Sequence, residues 1–230
     1  IRLRQALADR LGAQRISAVP SPLNRENSKL AAIAIASWAT LAAVLLSAGV
    51  FRPTPGEPSI AFPAAVIAPL AIFVILYQVV SRFRSFVLGL DTRLITIMQS
   101  WRVLGLMFIQ LYWLGLLPGL FAYPAGLGDA AIGISAPLVA LALIANPARV
   151  AARGFVLWNL LGILDFVVAL TAGTLMSGTW PHFVADGPST RLMREFPLGM
   201  IPTFLVPLFA MLHLSAIFHA RAARRSRGAR

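Results

Sequence analysis

The 230 residues are 58% apolar and only 12% charged, with a mean hydropathy of +0.79, a balance that excludes an ordinary soluble domain and makes lipid the solvent for most of the chain. The sequence holds no Cys and three His, which excludes disulfides, thiolate metal sites and a Cys nucleophile and leaves too few ligands for a multi-His metal cage. The net charge of +12 is carried by arginines that punctuate apolar segments, a pattern of membrane topology and not of a nucleic-acid-binding face.

In chain order, residues 1–29 read as a cytoplasmic amphipathic segment. Ile1, Leu3, Leu7 and Leu11 approximate one helical stripe, and Arg2, Arg4, Arg10 and Arg15 are available to lipid phosphates. A spanning helix needs about 20 mostly apolar residues to cross a hydrocarbon layer about 30 Å thick. Six segments qualify: Leu30–Phe51, Ile60–Val80, Val103–Phe121, Asp129–Ala145, Gly154–Met176 and Met200–Ala220. They make a transmembrane domain over residues 30–220, followed by the basic tail 221–230. The fourth is short and carries Gly133, Ser135 and Pro137, which predicts a kink or an incomplete crossing.

Between the second and third spans, Phe83, Phe86, Val87, Leu90, Leu94, Met98 and Trp101 recur at three- and four-residue steps, with Arg84, Asp91, Thr92, Gln99 and Arg102 elsewhere. This predicts a second interfacial helix, or an extension of span three beyond the membrane. Arg84 and Arg102 are expected to face lipid headgroups.

Loop charge sets the orientation. Residues 1–29 hold six Lys and Arg, 81–102 four, 146–153 two and 221–230 five, seventeen in all; the alternate loops hold only Arg52, Arg191 and Arg194. Both termini are therefore expected in the cytoplasm of a bacterial-type inner membrane, with anionic lipid as the partner of the basic face and no nucleic acid.

Ionisable groups inside spans cost at least roughly 2.5 kcal/mol at a helix centre, so each demands a partner or a purpose. Asp165 lies eleven residues beyond Gly154, about 16 Å deep at helical rise. His213, Gln110 and Asn159 fall in the same half of the layer and with Asp165 form a candidate polar site. Three uses remain open: a proton or ion relay, a site for the polar head of a substrate, or a network that fixes helix packing. Small residues, among them Gly128, Gly133, Gly162 and Gly173, predict close packing of spans four and five.

The stretch Y-P-A-G-L-G-D at 123–129 contains Gly126-Leu127-Gly128-Asp129, of the form G-x-G-D. That tetrad resembles the motif of the intramembrane aspartyl proteases, which implies Asp129 as one catalytic carboxylate and Asp165 as the second. The same letters read locally as a turn: Tyr123-Pro124 ends one helix, Gly126 and Gly128 permit positive φ, and Asp129 caps the next. That placement puts Asp129 at the outer end of span four, roughly 14 Å in depth from Asp165.

The sequence thus predicts an all-α polytopic bundle of six transmembrane helices with no cofactor. The expected role is non-enzymatic, either passage of a proton or small solute or service as a subunit or accessory of a larger membrane complex. The alternative is a membrane-embedded enzyme.

Overall fold

A computed structural model describes residues 22–52, 60–178 and 187–228. The segment expected to lie on the membrane surface, with Arg2 and Arg4, falls outside the described residues. The chain divides into two compact units, Ile1–Trp38 and Ala39–Arg230, and the site described below lies wholly in the second.

Among the described residues every regular element is helical. In chain order these are α1 (Pro22–Ser47), α2 (Ala61–Val79), the short α3 (Ser81–Leu88), α4 (Thr92–Trp113), α5 (Gly119–Ala145), α6 (Arg153–Leu175) and α7 (Val206–Gly228). A π-helical turn, Ile201–Leu205, leads into α7. Six of the helices are long and apolar enough to cross a membrane.

The largest correction to the sequence expectation concerns the connection between spans three and four. Span three begins at Thr92 and ends at Trp113, and span four begins at Gly119, so the reversal lies at 114–118. Gly115 takes φ of +71°, a conformation that glycine adopts without a Cβ penalty. The Gly115 and Leu116 N–H groups then close the end of α4 on the carbonyls of Tyr112 and Leu111, at 2.8 and 2.9 Å. Pro118, extended at φ −73° and ψ 140°, launches α5. L-G-L-L-P-G is as apolar as the spans beside it, so hydropathy did not reveal the turn. Conversely, Pro124, Gly126 and Gly128 all lie inside α5, and the expectation that Gly126, Gly128 and Asp129 form a turn and helix cap is wrong.

The amphipathic stretch between spans two and three is divided. Phe83, Phe86 and Val87 belong to α3, which stops at Gly89, whereas Leu94 to Trp101 already belong to α4. Asp91 caps α4, its Oδ1 accepting the Arg93 N–H at 2.8 Å. Arg84 donates to the Tyr77 and Gln78 carbonyls, at 3.0 and 2.6 Å, and so satisfies groups at the open end of α2.

α5 is inverted relative to a soluble helix. Seven of its ten buried residues are Ala or Gly, the others being Phe121, Ile132 and Leu143, while Leu127, Ile134, Leu138 and Leu141 point outward and are exposed. Small residues inward let backbones approach, and large apolar residues outward suit lipid. The closest approach is Gly133, where an added Cβ would stand 2.5 Å from the Val103 backbone nitrogen. Gly133, expected to join spans four and five, packs on α4, as does Gly126.

Candidate functional site: a buried arginine between two carboxylates

The middle of α4 is a 3₁₀ segment, Met98–Leu106, with about three residues per turn in place of 3.6. At that pitch residues three apart eclipse one another, so Gln99, Arg102 and Gly105 stack in one row. All three are buried, while Trp101, Val103 and Leu104 face outward. A regular α-helix would turn this row by about 60° at each step. The local backbone geometry thus aims Arg102 into the bundle.

Arg102 is the centre of the site. Its Nε donates to Asp129 Oδ1 on α5 at 2.7 Å, and its Nη2 donates to Asp165 Oδ2 on α6. Nη1 donates to the Gly162 carbonyl at 3.2 Å and to His213 Nε2 on α7 at 3.0 Å. The guanidinium carbon lies 3.9 Å from the centre of the Phe166 ring, which covers one face of the cation. The Arg102 side chain is 1% exposed, against 15% for Asp129 and 11% for Asp165. The expectation that Arg102 faces lipid headgroups is therefore wrong: four helices converge on it.

The hydrogen bonds also fix the state of His213. Asn159 donates its Nδ2 to the Phe155 carbonyl at 2.8 Å, which leaves Oδ1 as an acceptor. That oxygen lies 2.9 Å from His213 Nδ1, so Nδ1 carries the proton. A guanidinium can only donate, so Nε2 must accept. His213 is then the neutral Nδ1–H tautomer, a strut between Asn159 and Arg102. Asp165 and His213 do not face each other as a titratable pair; Arg102 stands between them.

Three glycines make space for these side chains. A Cβ at Gly128 would overlap Asp165 Oδ1, and one at Gly162 would overlap His213 Nε2. A Cβ at Gly105 would stand 2.5 Å from Asp129 Cβ. Each polar side chain thus rests on a glycine of the preceding span. The two glycines of the G-x-G-D tetrad have separate packing tasks, Gly126 against Ile109 and the Gly105 carbonyl, Gly128 against Asp165.

Asp129 and Asp165, expected far apart in depth, share one guanidinium. The resemblance to aspartyl proteases gains nothing from this, because that chemistry needs two carboxylates sharing a proton, and here a cation is clamped between them. Gln110 is exposed on α4 and takes no part. Gln99 occupies the buried position instead, donating Nε2 to the Phe209 carbonyl at 3.2 Å. Its Oε1 and the neighbouring Ser100 Oγ are buried without a hydrogen-bond partner among the described residues. The missed signal was the three-residue spacing of Gln99, Arg102 and Gly105, hidden by counting Arg102 as a loop charge.

Each charged residue is near the middle of its span. Arg102 lies ten residues after Thr92 and eleven before Trp113; Asp165 lies twelve after Arg153 and ten before Leu175; Asp129 lies ten after Gly119. From Asp129 an open cleft of about 600 Å³ runs to the connection between α6 and the π-helical turn. Phe62, Phe108, Phe121, Phe166 and Val206 line it, and Thr190, Met193 and Arg194 stand at its far end. A second cleft of about 670 Å³ reaches both Arg102 and Asp129 past Trp101 and Leu104. Arg194 sits 5.0 Å from the centre of the Phe62 ring, and burial, with Arg191 nearby, pulls its pKa below the ordinary arginine value. Among the described residues no group of three or more His, Asp or Glu could hold a metal ion.

The family described as Domain of unknown function (DUF8737) matches residues 59–221, a stretch that contains α2 to α6, most of α7 and every member of the polar site. No curated protein and no solved structure matches the chain.

Proposed function

The chain belongs to the DUF8737 family, and we propose that it is an integral membrane protein, without enzymatic activity, that passes protons, alone or together with a small solute, through the charge cluster on α4 to α7. The observation that carries this reading is the charge count at Arg102: two carboxylates meet one guanidinium, and His213 is neutral. With both carboxylates ionised the cluster holds one uncompensated negative charge, which costs several kcal/mol in a low-dielectric interior. One bound proton removes that charge. Asp129 is partly exposed and lines the cleft that runs to the connection between α6 and the π-helical turn, so a proton on the carboxylates has a route on and off. Gln99, one step from Arg102 in the same row, and its neighbour Ser100 each have a side-chain oxygen that takes no hydrogen bond among the described residues and is available to a relay.

Orientation follows from charge. Without Arg102, the basic loops still hold sixteen Lys and Arg against three on the opposite side. The reading therefore places both termini in the cytoplasm and the 600 Å³ cleft open to the opposite side.

The test is proton flux into vesicles that contain the full chain and an entrapped pH-sensitive dye, under an imposed potential. The wild type should acidify the lumen several times faster than protein-free vesicles. Asp165→Asn should fall to the protein-free rate while keeping its elution profile and melting transition. A wild-type rate equal to that of empty vesicles defeats the proposal.

A further inference from the structure

Among the described residues, the far end of the cleft that reaches Asp129 holds one charge without an ion-pair partner. Arg194 is partly buried against Phe62 and makes no ion pair among the described residues. Glu195 follows it in the chain yet does not come within pairing distance, and Arg191, three residues earlier, adds positive charge. Arg194 is also one of only three Lys and Arg outside the four basic loops, on the side where positive charge is least expected.

The floor of the cleft differs from its mouth. Asp129 is held by Arg102, and the walls between floor and mouth are mainly aromatic and aliphatic. The cleft is open, and the narrow space between its aromatic walls suits one chain better than a two-chain lipid. On α5 the cleft is lined from Phe121 to Asp129, eight residues or about 12 Å along that helix.

We infer that this cleft binds a single-chain amphiphile with one carboxylate, its acidic head on Arg194 and its apolar chain running between Phe62, Phe121 and Phe166 toward Asp129. This names a substrate class for the proton-passing reading and in that sense rests on it, but binding is measurable without transport. A weak acid whose head meets Arg194 and whose chain ends beside a proton-binding cluster can be carried with its charge neutralised, the proton being held on the cluster or on the acid itself.

The probe is dodecanoate, titrated calorimetrically into the full chain in nanodiscs of zwitterionic phosphatidylcholine. Saturable binding is expected, weakened about tenfold or more in Arg194→Gln and largely kept in Arg194→Lys, whose retained cation also controls for folding. Dodecyltrimethylammonium, with the same chain and opposite charge, should not bind in an Arg194-dependent way. Equal binding by wild type and Arg194→Gln, or a preference for the cationic probe, overturns the inference. Loss of dodecanoate binding in nanodiscs containing phosphatidylglycerol would assign the site to a bilayer phosphate and also overturn it. The two proposals fail separately: Asp165→Asn should lose flux and keep dodecanoate, whereas Arg194→Gln should lose dodecanoate and keep proton flux.

Discussion

α4 carries two arginines nine residues apart, each paired with aspartate, and the pairs could hardly differ more. Arg93 meets Asp91 two residues away, at 2.9 Å, with the side chains 53% and 45% exposed. Arg102 meets Asp129 and Asp165 from two other helices and is 1% exposed. The first pair is made by local chain geometry and is screened by solvent, so it contributes little beyond the helix cap. The second assembles only when three spans and their glycines are in place, and once assembled, removal of Arg102 strands two carboxylates in a dry interior. The same two residue types thus make a cap in one place and a buried charge cluster in the other.

The sharpest way to break the comparison is to remove each cation. Arg102→Met should cost about 3–5 kcal/mol, because it leaves two buried carboxylates without their partner. Arg93→Met should leave the thermal midpoint unchanged. Tryptophan fluorescence during heating of nanodisc-embedded protein reads both.

The next effect is at the glycine seats. Gly128→Ala should destabilise by about 1–3 kcal/mol, since its Cβ would displace Asp165. Gly154→Ala meets nothing within 4 Å and should be neutral or slightly stabilising, by up to about 1 kcal/mol. If both substitutions behave alike, the account of glycine as room for the charged side chains is wrong.

The smallest effect belongs to the cap. Asp91→Ala should cost about 0.5 kcal/mol, the low end for an N-cap, because the side chain is nearly half exposed. The hydrogen bond from Arg93 is the main influence holding the Asp91 carboxyl below its ordinary value of 3.8. A depressed carboxyl contributes fully above that ordinary value and loses its contribution as pH falls through the lower folded one. The difference between wild type and Asp91→Ala should therefore be constant near neutrality and vanish only below about pH 4, as acid titration of the melting midpoint would show.

Much of the helical architecture was legible in the sequence because length and hydropathy are enough to mark six apolar helices. Where one span yields to the next was not. L-G-L-L-P-G hides its reversal inside an apolar run, while Y-P-A-G-L-G-D advertises a turn that tertiary packing overrides, since Gly126, Gly128 and Gly133 are needed for close approach to neighbouring helices. That one misplacement put Asp129 at a helix end and so hid its partner. Asp165, His213 and Asn159 stood out as polar residues within apolar runs. Arg102 did not, because hydropathy started span three one residue beyond it and handed the arginine to a loop. The 3₁₀ segment that turns Gln99 and Arg102 inward leaves no trace in a reading that assumes 3.6 residues per turn. What joins the site is a set of contacts between helices, which a single sequence read locally does not display.

The central claim is that the two carboxylates around Arg102 hold one exchangeable proton. Infrared difference spectroscopy of the full chain in nanodiscs, recorded across a pH step, tests it most directly. A protonated-carboxyl C=O band should appear at the low-pH side, shift on exchange into D₂O, and be altered or lost in Asp165→Asn or Asp129→Asn while Asp91→Asn leaves it in place. A spectrum in which no such band appears, or one in which it survives unchanged in both Asp129→Asn and Asp165→Asn, would contradict the account.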